Sequence, residues 1–114
     1  METQVLVIGA GPGGYVAAIK LGQLGKKALL VDRDALGGEC LNYGCIPSKA
    51  LIATAGIIHK AKKGQEIGID LQLQSLDMTK VQAWRANLIK GFNRGIATLS
   101  KGNNVDIVMG EVDR

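Results

Sequence analysis

The segment QVLVIGAGPGG, residues 4–14, decides the fold of this chain. Its first half, Gln4–Ile8, is mostly apolar and rich in β-branched residues, which predicts a strand buried on both faces of a parallel sheet. Its second half places glycines at positions 9, 11 and 14 in the spacing G-x-G-x-x-G. Between a strand and a helix, this spacing is typical of a turn that holds the pyrophosphate of a dinucleotide.

A helix and a second strand follow this turn. Apolar residues recur at helical spacing from Gly14 to Leu24, and Gly25 then provides a stop signal. The segment Ala28–Asp32 predicts a second buried strand. Strand, helix and strand in about 30 residues form a βαβ unit, whose crossover is right-handed in about 98% of cases. We therefore predict an α/β fold, a Rossmann-like domain with a parallel sheet.

The rest of the chain predicts two additional helices and a third strand. A glycine-rich connection over residues 35–44 leads into a helix with Pro47 in its first turn. Residues 64–75 form a second connection, and Asp77 is the expected N-cap of the next helix. The segment 105–109 predicts strand three. We expect the strand order 3-2-1 in a sheet that is incomplete, with the first strand at an edge.

The second additional helix carries an apolar stripe that we expect to pack in the core, including both of its aromatic residues. The stripe consists of Val81, Trp84, Leu88, Phe92, Ile96 and Leu99.

Composition excludes several classes of protein. The chain has 114 residues, of which 46% are hydrophobic and 21% charged, so it is not a disordered chain. Its net charge of +4 is small, and its aromatic residues do not interleave with basic ones, so we expect no nucleic acid partner. The basic stretch His59–Lys63 fits a solvated helix end. No apolar run approaches the ~20 residues that span a bilayer, and the N-terminus lacks signal-peptide features, so we expect no membrane association and a cytoplasmic location.

The glycines and Asp32 predict a dinucleotide site. Gly9 permits a tight turn, Gly11 lets the backbone approach a pyrophosphate, and Gly14 lets the helix pack closely on the strand. Asp32 ends the second strand 18 residues after Gly14, where an acidic residue binds the adenosine ribose. A solvated carboxylate at a strand end is the alternative for Asp32. NAD and FAD both satisfy this pattern.

Cys40 and Cys45 are the only cysteines of the chain. Their spacing does not place both on one face of a regular helix, so a disulfide would need a distorted turn, which Gly44 and Pro47 would permit. A zinc site is disfavoured because two cysteines and one distant histidine do not supply four ligands. Two unpaired structural cysteines remain possible, but we favour a reversible redox disulfide. A redox dithiol beside the glycine turn favours FAD over NAD there, because a flavin exchanges electrons with both thiolates and nicotinamides.

Three segments carry a resemblance to a known family. The sequences GAGPGGYVAAI (9–19) and GGECLNYGCIPSKAL (37–51) resemble the flavoprotein pyridine-nucleotide disulfide oxidoreductases, and the second is most similar to their dihydrolipoamide dehydrogenase branch. GFNRGIATLSKGNNVDIVMGEVD (91–113) is also similar, so the resemblance covers nearly the whole chain. Glu39 and Tyr43 depart from it, since Thr and Val are frequent there.

The resemblance implies a role for each site residue. Cys45 is the sulfur nearest the flavin and forms the charge-transfer thiolate, whereas Cys40 exchanges with the substrate dithiol and is expected to be the more accessible of the two. Lys49 corresponds to the lysine beside the flavin N5. Bound FAD and, in the full-length enzyme, NAD are the implied cofactors. His59 does not correspond to the family's catalytic base and is expected at the surface.

The resemblance also implies a wider context. Residues 1–114 would form the N-terminal part of an FAD-binding domain, with NAD-binding and dimer-interface domains in a longer, homodimeric chain, so we expect these residues alone to be inactive. The electron donors would be dihydrolipoyl groups of a 2-oxo acid dehydrogenase or glycine cleavage complex. A related NAD(P)H-dependent disulfide or mercuric reductase, and a non-catalytic dinucleotide-binding module, are the alternatives.

Overall fold

A computed structural model describes residues 2–113 and shows an α/β fold with a parallel sheet. In chain order its elements are β1 (Val5–Ile8), α1 (Pro12–Gln23), β2 (Ala28–Asp32), α2 (Gly38–Asn42), α3 (Cys45–Gly64), a short 3-10 turn (Gln65–Ile67), α4 (Met78–Gly102) and β3 (Val105–Met109). The predicted α/β class and the three predicted strands are confirmed.

The sheet has β2 at its centre, with β1 and β3 on either side and all three strands parallel. Ala28 is in register with Val5 on one side and with Val105 on the other. The predicted order, with the first strand at an edge, is therefore confirmed. Because the strands are parallel, their carboxyl ends meet at one edge of the sheet, and the glycine turn after β1 lies there.

The core lies between one face of this sheet and α1. Small residues allow the two layers to approach closely. A Cβ added to Gly14 of α1 would lie 3.6 Å from a side-chain methyl group of Val7 in β1 and much closer to the backbone of Gly9, whereas Gly22 of α1 lies against the turn at Asn103 that ends α4. The buried core consists of Ala10, Ala18, Ala28, Leu30 and Val105.

The opposite face of the sheet differs from the prediction at β1. We expected β1 to be buried on both faces, but Leu6 is 47% exposed and Ile8 is 66% exposed. These side chains lie beside Leu29 and Val31 of β2, on the face away from α1. Within residues 2–113 no second layer of helices covers them, so the apolar sequence of β1 indicates a second layer that this part of the structure does not supply.

The connection predicted over residues 35–44 contains an additional short helix, α2, so three helices rather than two follow β2. Gly37, the N-cap of α2, adopts a left-handed conformation (φ 93°), and the buried side chain of Leu41 holds α2 in place. The two longer helices match the prediction. Pro47 lies in the first turn of α3, and the Asp77 side chain caps α4 by accepting a hydrogen bond from the Lys80 N–H (3.1 Å).

The prediction that both aromatic residues of α4 are in the core is wrong. Trp84 is 48% exposed and Phe92 is 47% exposed. The 25 residues of α4 span about 38 Å, whereas a strand of five residues spans about 17 Å, so the part of α4 around Trp84 lies beyond the sheet and beside α3. Phe92 instead lines an open pocket between α4, α2 and the start of α1. Only Ile96 and Ser100, towards its C-terminal end, are buried.

His59 lies on the exposed side of α3, as predicted. No helix within residues 2–113 combines the length and the apolar character needed to cross a membrane.

Candidate functional site

The glycine turn between β1 and α1 has the geometry that its spacing predicts. Gly9 has a positive φ of 97°, which side chains other than hydrogen rarely permit. A Cβ on Gly14 would lie 2.9 Å from the carbonyl carbon of Gly9 and closer still to its oxygen, so only glycine lets α1 start this near β1. A Cβ on Gly11, in contrast, would meet no protein atom within 4 Å. A side chain at position 14 would therefore collide with the backbone of the turn, whereas the space beside Gly11 is free of protein atoms.

The N-terminus of α1 is open to a ligand. Gly11 is its N-cap and supplies no side-chain acceptor, and the first turn carries no acidic residue. The N–H groups of a helix's first turn have no partner within the helix, and the helix dipole favours negative charge beside them. A phosphate at this end of α1 would meet both conditions.

Asp32, at the end of β2, braces the glycine turn. Its Oδ2 accepts a hydrogen bond from the Ala10 N–H (2.6 Å), and its Oδ1 accepts one from the Asp34 N–H (2.8 Å). Burial tends to raise the pKa of Asp32, but the backbone N–H groups of Ala10, Asp34 and Ala35 outweigh burial and hold the pKa below its ordinary value. Asp32 is therefore an ionised carboxylate with a structural task that sequence analysis did not identify.

A cleft of about 320 Å³ opens at the carboxyl ends of the three strands. Asp32 and Gly9 line it together, with Gly110 after β3 on the far side. This is the edge at which open α/β sheets bind their ligands. The structure therefore brings Gly9 and Asp32, two of the predicted cofactor-binding residues, to one cleft.

Gly38 connects the glycine turn to the cysteine segment. A Cβ on Gly38, whose φ is 61°, would lie 2.7 Å from the Cα of Gly11. The preceding Gly37 N–H donates to the Ala10 carbonyl (2.7 Å). Sequence analysis did not assign a role to Gly38; the paired glycines at 37 and 38 were the only signal. This contact places α2, which carries Cys40, directly against the turn.

Cys40 and Cys45 form a disulfide, with their Cα atoms 4.7 Å apart. Cys40 belongs to α2 and Cys45 is the first residue of α3, so the bond joins two separate helices. The chain changes direction between them at Gly44 (φ −121°, ψ −97°), which is the distorted turn that the spacing required. The expected order of accessibility is reversed in this structure, because Cys40 is half-buried and Cys45 is exposed. Cys40 is shielded because α2 packs against the glycine turn and α4.

Lys49 is exposed on α3, one turn after Cys45. Residues four apart lie on the same face of a helix, so Lys49 and Cys45 face the same side. Lys49 forms no ion pair within residues 2–113. The same residues contain no group of three or more side chains suited to hold a metal ion.

A small apolar pocket of about 170 Å³ adjoins Cys40. It is bounded by the start of α1, by α2 and α3, and by α4, through residues that include Pro12, Tyr15, Leu41, Ile46, Phe92 and Ile96. These residues are far apart in sequence, so only the tertiary structure reveals the pocket.

Polar side chains fix the cysteine segment at two further points. The Tyr43 hydroxyl donates to Asp34 Oδ2 (2.8 Å), which raises the pKa of Tyr43 through this hydrogen bond and the carboxylate charge. Asn42 and Asn93 form a hydrogen bond in which Asn93 Nδ2 donates to Asn42 Oδ1 (3.2 Å). The Asn93–Asn42 pair was not predicted, because no pattern in the sequence indicates it.

The fold and the site together form a parallel α/β domain with a disulfide held against the glycine turn that follows its first strand. The profile of the pyridine nucleotide-disulphide oxidoreductase family matches residues 3–113, and the chain belongs to this family. The resemblance noted in the sequence is thus confirmed.

Within this family, the chain is similar to dihydrolipoyl dehydrogenases. The chain is 51% identical over 111 residues to a dihydrolipoyl dehydrogenase of Geobacillus stearothermophilus and 52% identical over 111 residues to one of Bacillus subtilis (strain 168). Each match covers 97% of this chain and 24% of the relative, so the chain spans about a quarter of the length of these proteins. The crystal structure of LpdA from Mycobacterium tuberculosis matches 98% of this chain and 25% of its own, with a TM-score of 0.84 at 22% identity. That likeness establishes the fold.

Proposed function

We propose that this chain is the FAD-binding, disulfide-bearing part of a dihydrolipoyl dehydrogenase-type oxidoreductase. In this proposal residues 1–114 are the N-terminal part of the FAD-binding domain, and the NAD-binding and dimer-interface domains belong to a longer protein. One observation carries the proposal: the Cys40–Cys45 disulfide is joined to the glycine turn by the close approach of Gly38 to Gly11.

The glycine turn fits the pyrophosphate of FAD. Open space at Gly11 and the uncapped start of α1 would receive the phosphates. Each carboxylate oxygen of Asp32 already accepts one backbone hydrogen bond but has a further lone pair for a ribose hydroxyl. Asp32 would then brace the turn and bind the ribose at once. When bound, FAD supplies a two-electron acceptor for a dithiol and a hydride donor for NAD.

The disulfide can exchange with a dithiol without any other oxidant. Cys45 is the more exposed cysteine, and in this proposal its exposed side is the one that FAD would cover, which leaves Cys40 for the substrate. A thiolate of a dihydrolipoyl group attacks Cys40 Sγ, and the Cys45 sulfur leaves as a thiolate. The second lipoyl thiol then attacks the mixed disulfide and releases Cys40, so the lipoyl group closes its own disulfide. The two cysteines finish with the two electrons. Lys49, on the same face of α3 as Cys45, is the residue that we assign to the position beside the flavin N5.

The partners follow from the same proposal. The relatives' name specifies a dihydrolipoyl substrate, which in a cell is carried by a 2-oxo acid dehydrogenase or glycine cleavage complex. A homodimer and a cytoplasmic location remain predictions for the longer protein.

A chimera tests the proposal. Residues 1–114 replace the matching N-terminal quarter of the Geobacillus stearothermophilus relative, and NAD reduction by dihydrolipoamide is measured. We expect turnover in the chimera and none in its Cys40→Ser and Cys45→Ser variants. Cys40→Ser should retain a long-wavelength band between the Cys45 thiolate and the flavin, and Cys45→Ser should lack it. Faster turnover with NADPH and glutathione disulfide would favour the reductase alternative, and full activity of Cys45→Ser would refute the proposal.

A further inference from the structure

A network of amide side chains holds α2 against α4, and we call it the amide clamp. Asn42 Nδ2 donates to the carbonyl oxygens of Leu36 (3.0 Å) and Gly38 (2.8 Å). Asn93 of α4 donates to the same Leu36 carbonyl and to Asn42 Oδ1 (3.2 Å). The clamp therefore consists of the side chains of Asn42 and Asn93 and the backbone of Leu36 and Gly38. All of its hydrogen bonds are partly buried, which protects them from competition by water.

The two cysteines depend on the clamp to different degrees. Cys45 begins a helix of 20 residues, but Cys40 lies in a helix of only five. A helix this short has no independent stability, because nucleation costs more than its few hydrogen bonds return. The position of Cys40 therefore depends on what α2 contacts. Asn42, two residues after Cys40, supplies the polar anchor, and the buried Leu41 supplies the apolar one.

We propose that Asn93 is a positioning residue that sets the redox equilibrium of the Cys40–Cys45 pair. The inference rests on the proposed function, in which this disulfide opens and closes. When the disulfide is reduced, the covalent link between α2 and α3 is lost and the clamp remains. By restricting α2, the clamp keeps the Cys40 thiol near the Cys45 thiol and raises their effective concentration for each other.

Linkage fixes the direction of the effect. The disulfide and the clamp both hold Cys40 near Cys45, so each stabilises the other. By linkage, the factor by which the clamp favours disulfide formation equals the factor by which the disulfide favours the clamp. Removing Asn93 therefore makes the disulfide easier to reduce. The size of the shift is the difference in the free energy of this contact between the oxidised and the reduced chain, so its upper limit is the full value of one ordinary intramolecular hydrogen bond, about fivefold in the equilibrium constant. For a two-electron couple, a fivefold change is about 20 mV towards a less negative potential.

The experiment uses the 114-residue chain in mixtures of dihydrolipoamide and lipoamide. The thiols are trapped by alkylation at equilibrium, and mass spectrometry gives the reduced fraction. Asn93→Ala should shift the equilibrium towards the dithiol by up to about fivefold. Asn87→Ala is the matched control, because Asn87 lies on the same helix, is exposed and forms no side-chain hydrogen bond within residues 2–113. It should equilibrate like the original chain.

Two further variants separate positioning from general folding. Asn93→Asp keeps the size of the side chain but replaces its N–H donors with a carboxylate oxygen. That oxygen cannot donate to the Leu36 carbonyl or to Asn42 Oδ1, so the equilibrium should shift in the same direction as in Asn93→Ala. Asn93→Ala should have a smaller effect in an Asn42→Ala background, because only the hydrogen bond from Asn93 to the Leu36 carbonyl is then left to lose, and an undiminished effect would contradict the role of the Asn93–Asn42 bond. Far-ultraviolet circular dichroism of the oxidised forms follows folding. A variant that unfolds even when oxidised contradicts the proposal, because Asn93 would then support the whole fold.

The outcomes distinguish this inference from the function on which it rests. If dihydrolipoamide does not reduce the original chain, the proposed function fails. If the original chain is reduced reversibly but Asn93→Ala and Asn93→Asp equilibrate as it does, only the role of Asn93 is refuted.

Discussion

Three glycines in one turn, mutated singly, should have three different effects. Gly14→Ala places a Cβ 2.9 Å from the Gly9 carbonyl carbon and closer to its oxygen. Both atoms belong to the backbone and cannot rotate away, so α1 must move off β1. Overpacking costs about 1–3 kcal/mol even where side chains can adjust, so we expect a loss of at least about 3 kcal/mol. The free energy of unfolding of a typical domain is only about 5–15 kcal/mol, so this loss would be a large part of it.

Gly11→Val should separate binding from folding. Nothing lies within 4 Å of its added Cβ, and its φ of −69° suits any residue. Because Val is a poorer N-cap than Gly, the free energy of unfolding should fall by about 1 kcal/mol, well below the loss expected for Gly14→Ala. The new methyl groups fill the space that a pyrophosphate needs, so dinucleotide binding should be lost.

Gly13→Ala is the matched control for both changes. Its Cβ also meets nothing within 4 Å, and the position lies within α1, where Ala is favoured over Gly by about 0.5–1 kcal/mol. Urea unfolding of each variant gives the stabilities, and flavin content of the corresponding chimeras gives the binding. The reasoning is refuted if the Gly14→Ala variant is as stable as the Gly13→Ala variant. It is also refuted if the Gly11→Val chimera has a normal flavin content.

Three other predictions concern acid stability, alkaline stability and activity. Asp32→Asn should cost about 2 kcal/mol at neutral pH, because hydrogen bonds to a charged acceptor are worth about 1.5–3 kcal/mol. Because the pKa of Asp32 is lowered from 3.8, this stabilisation is complete above pH 3.8 and is lost as the pH falls through the lowered pKa. The free energies of unfolding of the two proteins, measured with urea, should therefore become equal in acid. Tyr43 has a pKa raised above 10.0, so its hydrogen bond to Asp34 stabilises the fold at pH values below 10 and is lost as the pH rises through the raised pKa. Unfolding of Tyr43→Phe compared with the original chain should show a difference that disappears in strong alkali, and a difference independent of pH would contradict this. The 114-residue chain with added FAD should not reduce NAD with dihydrolipoamide, and turnover comparable to that of an intact flavoenzyme, with contamination excluded by mass spectrometry, would contradict that expectation.

Features that depend on local sequence were predictable. The strands, the glycine turn and the Asp77 cap each follow from a few neighbouring residues whose conformational preferences agree. The distorted turn at Gly44 also follows, because no regular helix joins Cys40 to Cys45. The role of Asp32 in bracing Ala10 was not predictable, because a strand-end carboxylate satisfies the same pattern whether it binds a ligand, solvent or backbone.

Features that depend on distant residues were not predictable. Nothing local indicates that Gly38 approaches Gly11, or that Asn93 reaches Asn42 across 51 positions. The exposure of Trp84 has a different cause. An apolar helical stripe predicts a covering partner, but it does not specify whether that partner lies in the same segment of chain. The uncovered residues of β1 have the same explanation.

The most direct test of the account is the response of the Cys40–Cys45 disulfide to dihydrolipoamide. The folded 114-residue chain is titrated with the dithiol, alkylated and analysed by mass spectrometry, and lipoamide is then added in excess. If the pair is redox-active, the fraction of chains that take up two alkyl groups should rise with the ratio of dihydrolipoamide to lipoamide. Cys45 should be alkylated first because it is the more exposed residue. The disulfide should form again when lipoamide is added. A disulfide that opens only after the chain is unfolded would be structural, and that result would contradict the central claim.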